Sequence, residues 1–236
     1  KTYAAMVSAI DDGVGLLLKS LRENKLEEKT IVAFLSDNGG PITKNASQNS
    51  PLRGSKGDVW EGGHRVPGIA YFPKRIAPNT RIDAPAMGID WLPTIAEFTG
   101  SGLPEKKIDG ASLVPLLTGK TTRAPHENFF FYYRTNELHA VRHKNWKLYV
   151  PHTYRSLNGR KGTNDGFPVP YEMNKIETAA LFDLESDPSE KNDVAQENPL
   201  IVAKISKIAD SVRAVLGDRL TGIKGNEVRP VGRIED

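Results

Sequence analysis

Ser36-Asp37-Asn38-Gly39-Gly40, followed by Arg53-Gly54-Ser55-Lys56-Gly57 and Glu61-Gly62-Gly63, is the stretch on which the fold and its chemistry turn. The five residues before it, Ile31-Val32-Ala33-Phe34-Leu35, form a short apolar, partly β-branched run. That length and composition predict a strand buried on both faces. Asp37 and Asn38 then lie just past the carboxyl end of a strand, where open α/β sheets place their ligand crevice. A carboxylate and a carboxamide offer hard oxygen, with no thiolate or imidazole adjacent, which favours calcium or magnesium over zinc or copper. Asp-Asn-Gly is also ordinary turn chemistry, so the metal reading depends on what surrounds it.

Working outward, Tyr3, Met6, Val7, Ile10, Val14, Leu17, Leu18 and Leu21 recur at helical spacing and predict an amphipathic helix from about Thr2 to Glu23. A helix followed by an apolar strand is the repeating unit of an α/β sheet. Residues 39–65 are glycine-rich and lack a period, and a loop of that length within a compact domain is functional or disordered. Val66–Phe72 reads as a further strand, and Asp90 as the cap of a helix ending at Phe98 before Gly100. After a Gly-, Pro- and Lys-rich connection from Ser101 to Pro125, strand signals recur at 129–133, 138–142, 146–150 and 180–184. They predict a small antiparallel sheet. Asn198-Pro199 opens a helix whose face is Ile201, Ile205, Ile208, Val212, Val215 and Leu216, stopped by Gly217. The expected fold is thus α/β over residues 1–125, a partial sheet with helices. A small α+β domain over 126–236 follows it, and the tail 218–236 has no clear period.

Together, in this order, several motifs resemble the carboxyl half of the catalytic domain of sulfatases, in the alkaline-phosphatase-like superfamily. They are Ala9-Ile10-Asp11-Asp12-Gly13-Val14-Gly15, the Ser-Asp-Asn-Gly-Gly turn, the Arg-Gly-Ser-Lys-Gly loop and Glu61-Gly62-Gly63-His64-Arg65-Val66-Pro67. The likeness continues through Asp109-Gly110, Ala140-Val141-Arg142, Trp146-Lys147-Leu148 and Leu181-Phe182-Asp183-Leu184. The resemblance implies that Asp37 and Asn38 ligate Ca2+, with Mg2+ as the alternative. Two ligands cannot fill a calcium sphere of 6 to 8 oxygens, so an Asp pair and the substrate sulfate are expected to complete it from outside. It also implies that Lys56 contacts the sulfate and the leaving-group oxygen, as a compact positive charge where negative charge develops.

The family's nucleophile is a formylglycine made within a Cys/Ser-x-Pro-x-Arg motif, and this chain has no cysteine. Ser186-Asp187-Pro188-Ser189-Glu190 has the serine and proline but Glu190 in place of arginine, and reads as an exposed turn. With Lys1 at its start, the chain is expected to be the carboxyl-terminal part of a longer sulfuric ester hydrolase, inactive by itself. Its expected partners are the missing amino-terminal half and a sulfated small molecule or glycan. Two other functions compete: a non-catalytic binding or assembly module, and a phosphoryl-transfer relative of the same superfamily.

Among the five histidines, His152 is singled out as a substrate contact, because it follows the predicted strand 146–150 on what reads as a strand-end loop. His64, His126, His139 and His143 read as surface or packing residues, and Glu61 with Arg65 as an ion pair that shapes the loop. The net charge of +3 comes from interspersed charges, which gives no support to nucleic-acid binding. No apolar run approaches the roughly 20 residues of a membrane span. Compartment follows from the resemblance alone, as periplasmic, extracellular or lysosomal, and Asn45-Ala46-Ser47 is a formal glycosylation acceptor.

Overall fold

The computed structural model describes residues 2–44, 47–164 and 167–229, so Asn45 and Ala46 of the acceptor triplet and the end of the tail lie outside the described residues. The chain forms two compact units. One comprises 1–36 and 67–127, the other 37–66 and 128–236. The chain thus crosses between the units three times, after residues 36, 66 and 127, and the glycine-rich segment 37–66 packs with the carboxyl-terminal unit.

The first unit opens with helix α1 (Thr2–Glu23), at the predicted limits. Strand β1 (Val32–Leu35) pairs antiparallel with β2 (Gly68–Tyr71), and the Ser36 amide donates to the Pro67 carbonyl just beyond the pair. Contrary to the expectation of a strand buried on both faces, Phe34 and Leu35 of β1 are exposed, as is Ile69 of β2. α1 has no buried residue either. The physical reason is that β1 has one strand neighbour among the described residues, and two strands cannot enclose an apolar face.

What core this unit has is built from helix α3 (Trp91–Thr99) and helix α4 (Val114–Leu117). Leu113, Leu116 and Leu117 pack with Ala70, Ile82, Trp91 and Phe98. Gly100 ends α3 in the left-handed conformation at φ 69°, as its position predicts. Asp90, expected as a side-chain cap, makes no such bond. Its carboxylate instead accepts the Met87 and Ala111 amides and contacts His126 Nε2 at 2.6 Å, tying the helix start to the later loop.

The second unit is a four-stranded antiparallel sheet in the order β3 (Asn128–Tyr133), β4 (Glu137–His143), β5 (Trp146–Tyr149), β8 (Ala180–Asp183). These are the four strands that the sequence predicts. Helix α5 (Pro199–Leu216) lays Ile205, Ala209 and Val212 against Leu138, Val141, Leu148 and Leu181 on one face. Strand alternation sends Ala140, Tyr149 and Phe182 to the other face, where Val59 and Trp60 of the glycine-rich segment cover them. A separate hairpin pairs β6 (His152–Ser156) with β7 (Glu172–Ile176), and a single helical turn, α2 (Glu61–His64), closes the segment. Neither has a periodic signal long enough to read in advance.

Candidate functional site

The motif segments are joined by backbone hydrogen bonds. The Gly39 amide donates to the Gly63 carbonyl at 2.9 Å, and the Gly62 amide to the Arg53 carbonyl at 2.6 Å. Asn49 adds a side-chain bridge. Its Oδ1 accepts the Gly40 amide, and its Nδ2 donates to the Gly40 and Gly54 carbonyls. A Cβ on Gly39 would sit 1.7 Å from the Gly62 carbonyl oxygen, so only glycine permits this approach. The Asp-Asn-Gly-Gly turn and the Lys56 loop therefore share one scaffold, the α2 turn.

Asp37 is exposed, and its Oδ1 accepts the amide of Asn38 at 3.0 Å. Its other carboxylate oxygen has the hard-donor chemistry that suits calcium or magnesium, as has the Asn38 carboxamide oxygen. The pair fits a partial metal site. Among the described residues no group of three or more His, Cys, Asp or Glu side chains could hold a metal ion, so further ligands would have to come from elsewhere.

Lys56 is exposed between buried Ser55 and Gly57, which takes a left-handed φ of 89°. The turn beneath it is closed by Asp58. The Asp58 carboxylate accepts the Ser55 amide at 3.1 Å, while the Asp58 amide donates to the Ser55 carbonyl at 3.2 Å. Burial pushes the Asp58 carboxyl up to about 7, against the opposing pull of the Ser55 and Trp60 amides and of Arg155. Arg155 Nη2, from β6, donates to the Lys56 carbonyl at 3.1 Å.

Beneath α2 lies a buried charged cluster. Lys147, 0% exposed in β5, donates to the Val59 carbonyl at 2.7 Å and lies 3.0 Å from Glu61 Oε1 and 3.1 Å from Glu190 Oε1. Glu190 Oε2 accepts the Glu61 amide at 2.6 Å, and the Tyr149 hydroxyl donates to Glu190 Oε1, also at 2.6 Å. Burial works against both carboxylates. Glu61 nevertheless lies below the usual range because Lys147 and His64 pull it down, whereas Glu190 is left above it. The expected Glu61–Arg65 pair is present at 3.8 Å, but the dominant partner of Glu61 is Lys147. Breaking a buried pair of this kind costs about 3–5 kcal/mol, because it leaves an uncompensated charge.

The segments that carry Asp37, Asn38 and Lys56 are thus both tied to the α2 turn, and His152 is not among them. Instead of opening a loop it begins β6, is 4% exposed, stacks on His139 at 3.9 Å and has Nδ1 2.6 Å from the Val150 carbonyl. Burial pulls its pKa down to about 4, against the effect of that carbonyl. A buried, stacked, neutral ring is a packing residue, and this corrects the expectation of a substrate contact. His126 meets Asp90, and His139 lies 3.1 Å from Glu137 Oε2. Ser186 donates to Asp183, and the Asp187 carboxylate accepts the Lys191 and Asn192 amides, so the serine lookalike is the expected turn. Asn49, Lys147, Tyr149 and Glu190 were missed. Strand alternation pairs Lys147 with Tyr149 on one face, but no periodicity says that this face is dry.

The sulfatase family model matches residues 1–101, and the model of the C-terminal region of aryl-sulfatase matches residues 124–225. The chain belongs to the sulfatase family. A third model, for the C-terminal region of N-sulphoglucosamine sulphohydrolase, matches residues 55–155 of this sulfatase chain. Human steryl-sulfatase is 36% identical over 207 residues, which is 80% of this chain and 35% of that protein. The chain therefore spans about a third of the length of that sulfatase. The PsFucS1 sulfatase from Pseudoalteromonas aligns over 95% of this chain and 44% of its own, with TM-score 0.76 and 26% identity. A Bacteroides thetaiotaomicron structure, from work on the metabolism of multiple glycosaminoglycans, aligns over 87% of this chain and 43% of its own, with TM-score 0.70 and 27% identity. Sulfatases of the alkaline-phosphatase-like fold are thus its structural neighbours.

Proposed function

We propose that this chain supplies the carboxyl-terminal part of a metal-dependent sulfuric ester hydrolase, with Asp37 and Asn38 holding calcium, or magnesium, and Lys56 steadying the departing oxygen. The observation that carries this reading is the joining of the Asp37–Gly40 turn and the Lys56 loop to one α2 turn, through Gly39–Gly63 and Gly62–Arg53. That arrangement leaves a carboxylate and an ammonium exposed on a common rigid frame. A metal ion bound there would polarise sulfate oxygens. Lys56 would contribute a compact positive charge where the ester oxygen becomes an anion, in a site organised before the substrate arrives.

The nucleophile belongs to a part of the protein outside this chain, since the chain has no cysteine and Ser186 is occupied in a turn. The exposed apolar residues of α1, β1 and β2 are where that part packs. The proposed substrate class is a sulfated glycan, which the glycosaminoglycan-related neighbour supports. Among the described residues no helix is long and apolar enough to cross a membrane. A periplasmic, extracellular or lysosomal setting is the compartment that goes with this reading.

The test is calorimetric calcium titration of the full-length protein and its Asp37→Ala variant. Removing one charged ligand from a hard-cation site is expected to weaken binding at least about tenfold and to abolish turnover. Equal affinities would overturn the assignment.

A further inference from the structure

An ammonium on a four-carbon stem can stabilise a departing oxygen only if its backbone origin is fixed, because misplacement by about 1 Å can cost 10²-fold in rate. Among the described residues the segment that carries Lys56 has no strand pairing, so something else must fix it. Two basic side chains grip the backbone on either side of the turn. Arg155 Nη2 holds the Lys56 carbonyl at 3.1 Å, its guanidinium lies over the Tyr171 ring at 4.6 Å, and a Cβ on Gly57 would fall 1.6 Å from Nη2. Three residues on, Lys147 holds the Val59 carbonyl at 2.7 Å and spends its remaining donors on Glu61 and Glu190. Asp58 braces the turn between the two grips.

We propose that Arg155 and Lys147 are positioning residues for the Lys56 ammonium, clamping the loop at the Lys56 and Val59 carbonyls. The inference rests on the sulfate-ester role of Lys56 given above. Lys147 is fully buried and Arg155 acts through a backbone carbonyl, so both reach the chemistry only through Lys56. A clamp that merely stabilised the fold would lower the melting temperature and leave the sensitivity to leaving group unchanged.

The experiment is a leaving-group series of aryl sulfates on the full-length protein. Lys56→Ala is expected to steepen the dependence of kcat on leaving-group pKa. Arg155→Met should steepen it in the same direction, lowering kcat on the poorest leaving group about tenfold with KM changed less than about twofold. In the Lys56→Ala background the same substitution should cost less than about twofold, since its target is already gone. Arg155→Lys, which keeps a donor for the carbonyl, should recover part of the loss. Lys147→Met should repeat the pattern, and if it does not fold, the Arg155 variants decide. An undiminished Arg155→Met effect in the Lys56→Ala background, or an unchanged slope, overturns the clamp alone. If Lys56→Ala itself leaves the slope unchanged, the role of Lys56 falls and the clamp falls with it.

Discussion

The first unit and the second have similar sequence patterns and opposite degrees of enclosure. In the second, Leu138, Val141, Leu148, Leu181 and Ile205 are all 0% exposed, between a four-stranded sheet and α5. In the first, α1 repeats apolar residues just as regularly, yet Met6, Ile10, Leu16 and Leu17 stand in solvent, as do Phe34, Leu35 and Ile69 of the two-stranded pair. Periodicity states which face of an element needs cover; it does not state which chain provides the cover. The loop 37–66 belongs to the enclosed unit, and this is why its geometry is formed within the chain.

The contrast is most exposed to a pair of core truncations. Leu148→Ala should destabilise the second unit by about 2–5 kcal/mol, because the residue is buried among Leu138, Val141 and the α5 face. Leu17→Ala on α1 should stay within about 0.5 kcal/mol. Urea unfolding of purified 1–236, followed by amide signals in each unit, measures both. A comparable loss at Leu17 would mean that α1 is covered in solution and the contrast is void.

Gly39→Ala sharpens the same comparison at the loop. Its Cβ would meet the Gly62 carbonyl and push the Asp37 turn off α2, at a cost of about 1–3 kcal/mol for overpacking. Gly13→Ala on α1, where a Cβ meets nothing within 4 Å, should be neutral or stabilising. Thermal melts of both variants decide it, and equal shifts would remove Gly39 from the frame.

The smallest effect is one of pH. Asp58 in the folded chain has a pKa of about 7, raised from an ordinary 3.8, so between those values the folded state keeps a proton that the unfolded state has lost. Its contribution is fully present below about pH 4, falls as pH rises toward 7 and is absent above that. Asp58→Asn keeps an acceptor for the Ser55 amide but cannot ionise. The variant should therefore gain on wild type as pH rises from 4 to 7, with the gap constant above. A gap that does not change with pH would show that Asp58 titrates as an exposed carboxylate.

Much of this was legible in the sequence, and the exceptions have physical causes. α1 and α5 carry long, strongly periodic signals, and the four strands of the larger sheet show as short apolar or aromatic runs. Asp37, Asn38 and Lys56 are singled out by motifs in a fixed order, which narrow an otherwise ambiguous turn, and their roles rest on that order. His152 was misplaced because a five-residue strand, β6, begins where a loop was expected, and its hairpin partner lies beyond a long connection. Lys147, Tyr149 and Glu190 were unreadable for another reason. A lysine and a glutamate read as surface residues until the fold brings them together, and only then do 0% exposure and mutual hydrogen bonds make them the centre of the unit.

The crossing of the chain between units has a hereditary consequence. The chain leaves the first unit after β1, packs residues 37–66 in the second and returns to the first to pair β2 with β1, so neither unit is a continuous stretch of gene. A recombination event with one crossover near residue 125 would join the four-stranded sheet of one lineage to the 37–66 excursion of another. Lys147 would then inherit a foreign Glu61, and Tyr149 and Phe182 a foreign Trp60. Halves of this protein can be exchanged between lineages only where those contacts match. An exchange without that match would break the Lys147–Glu61 pair and the packing of Trp60 on Tyr149 and Phe182.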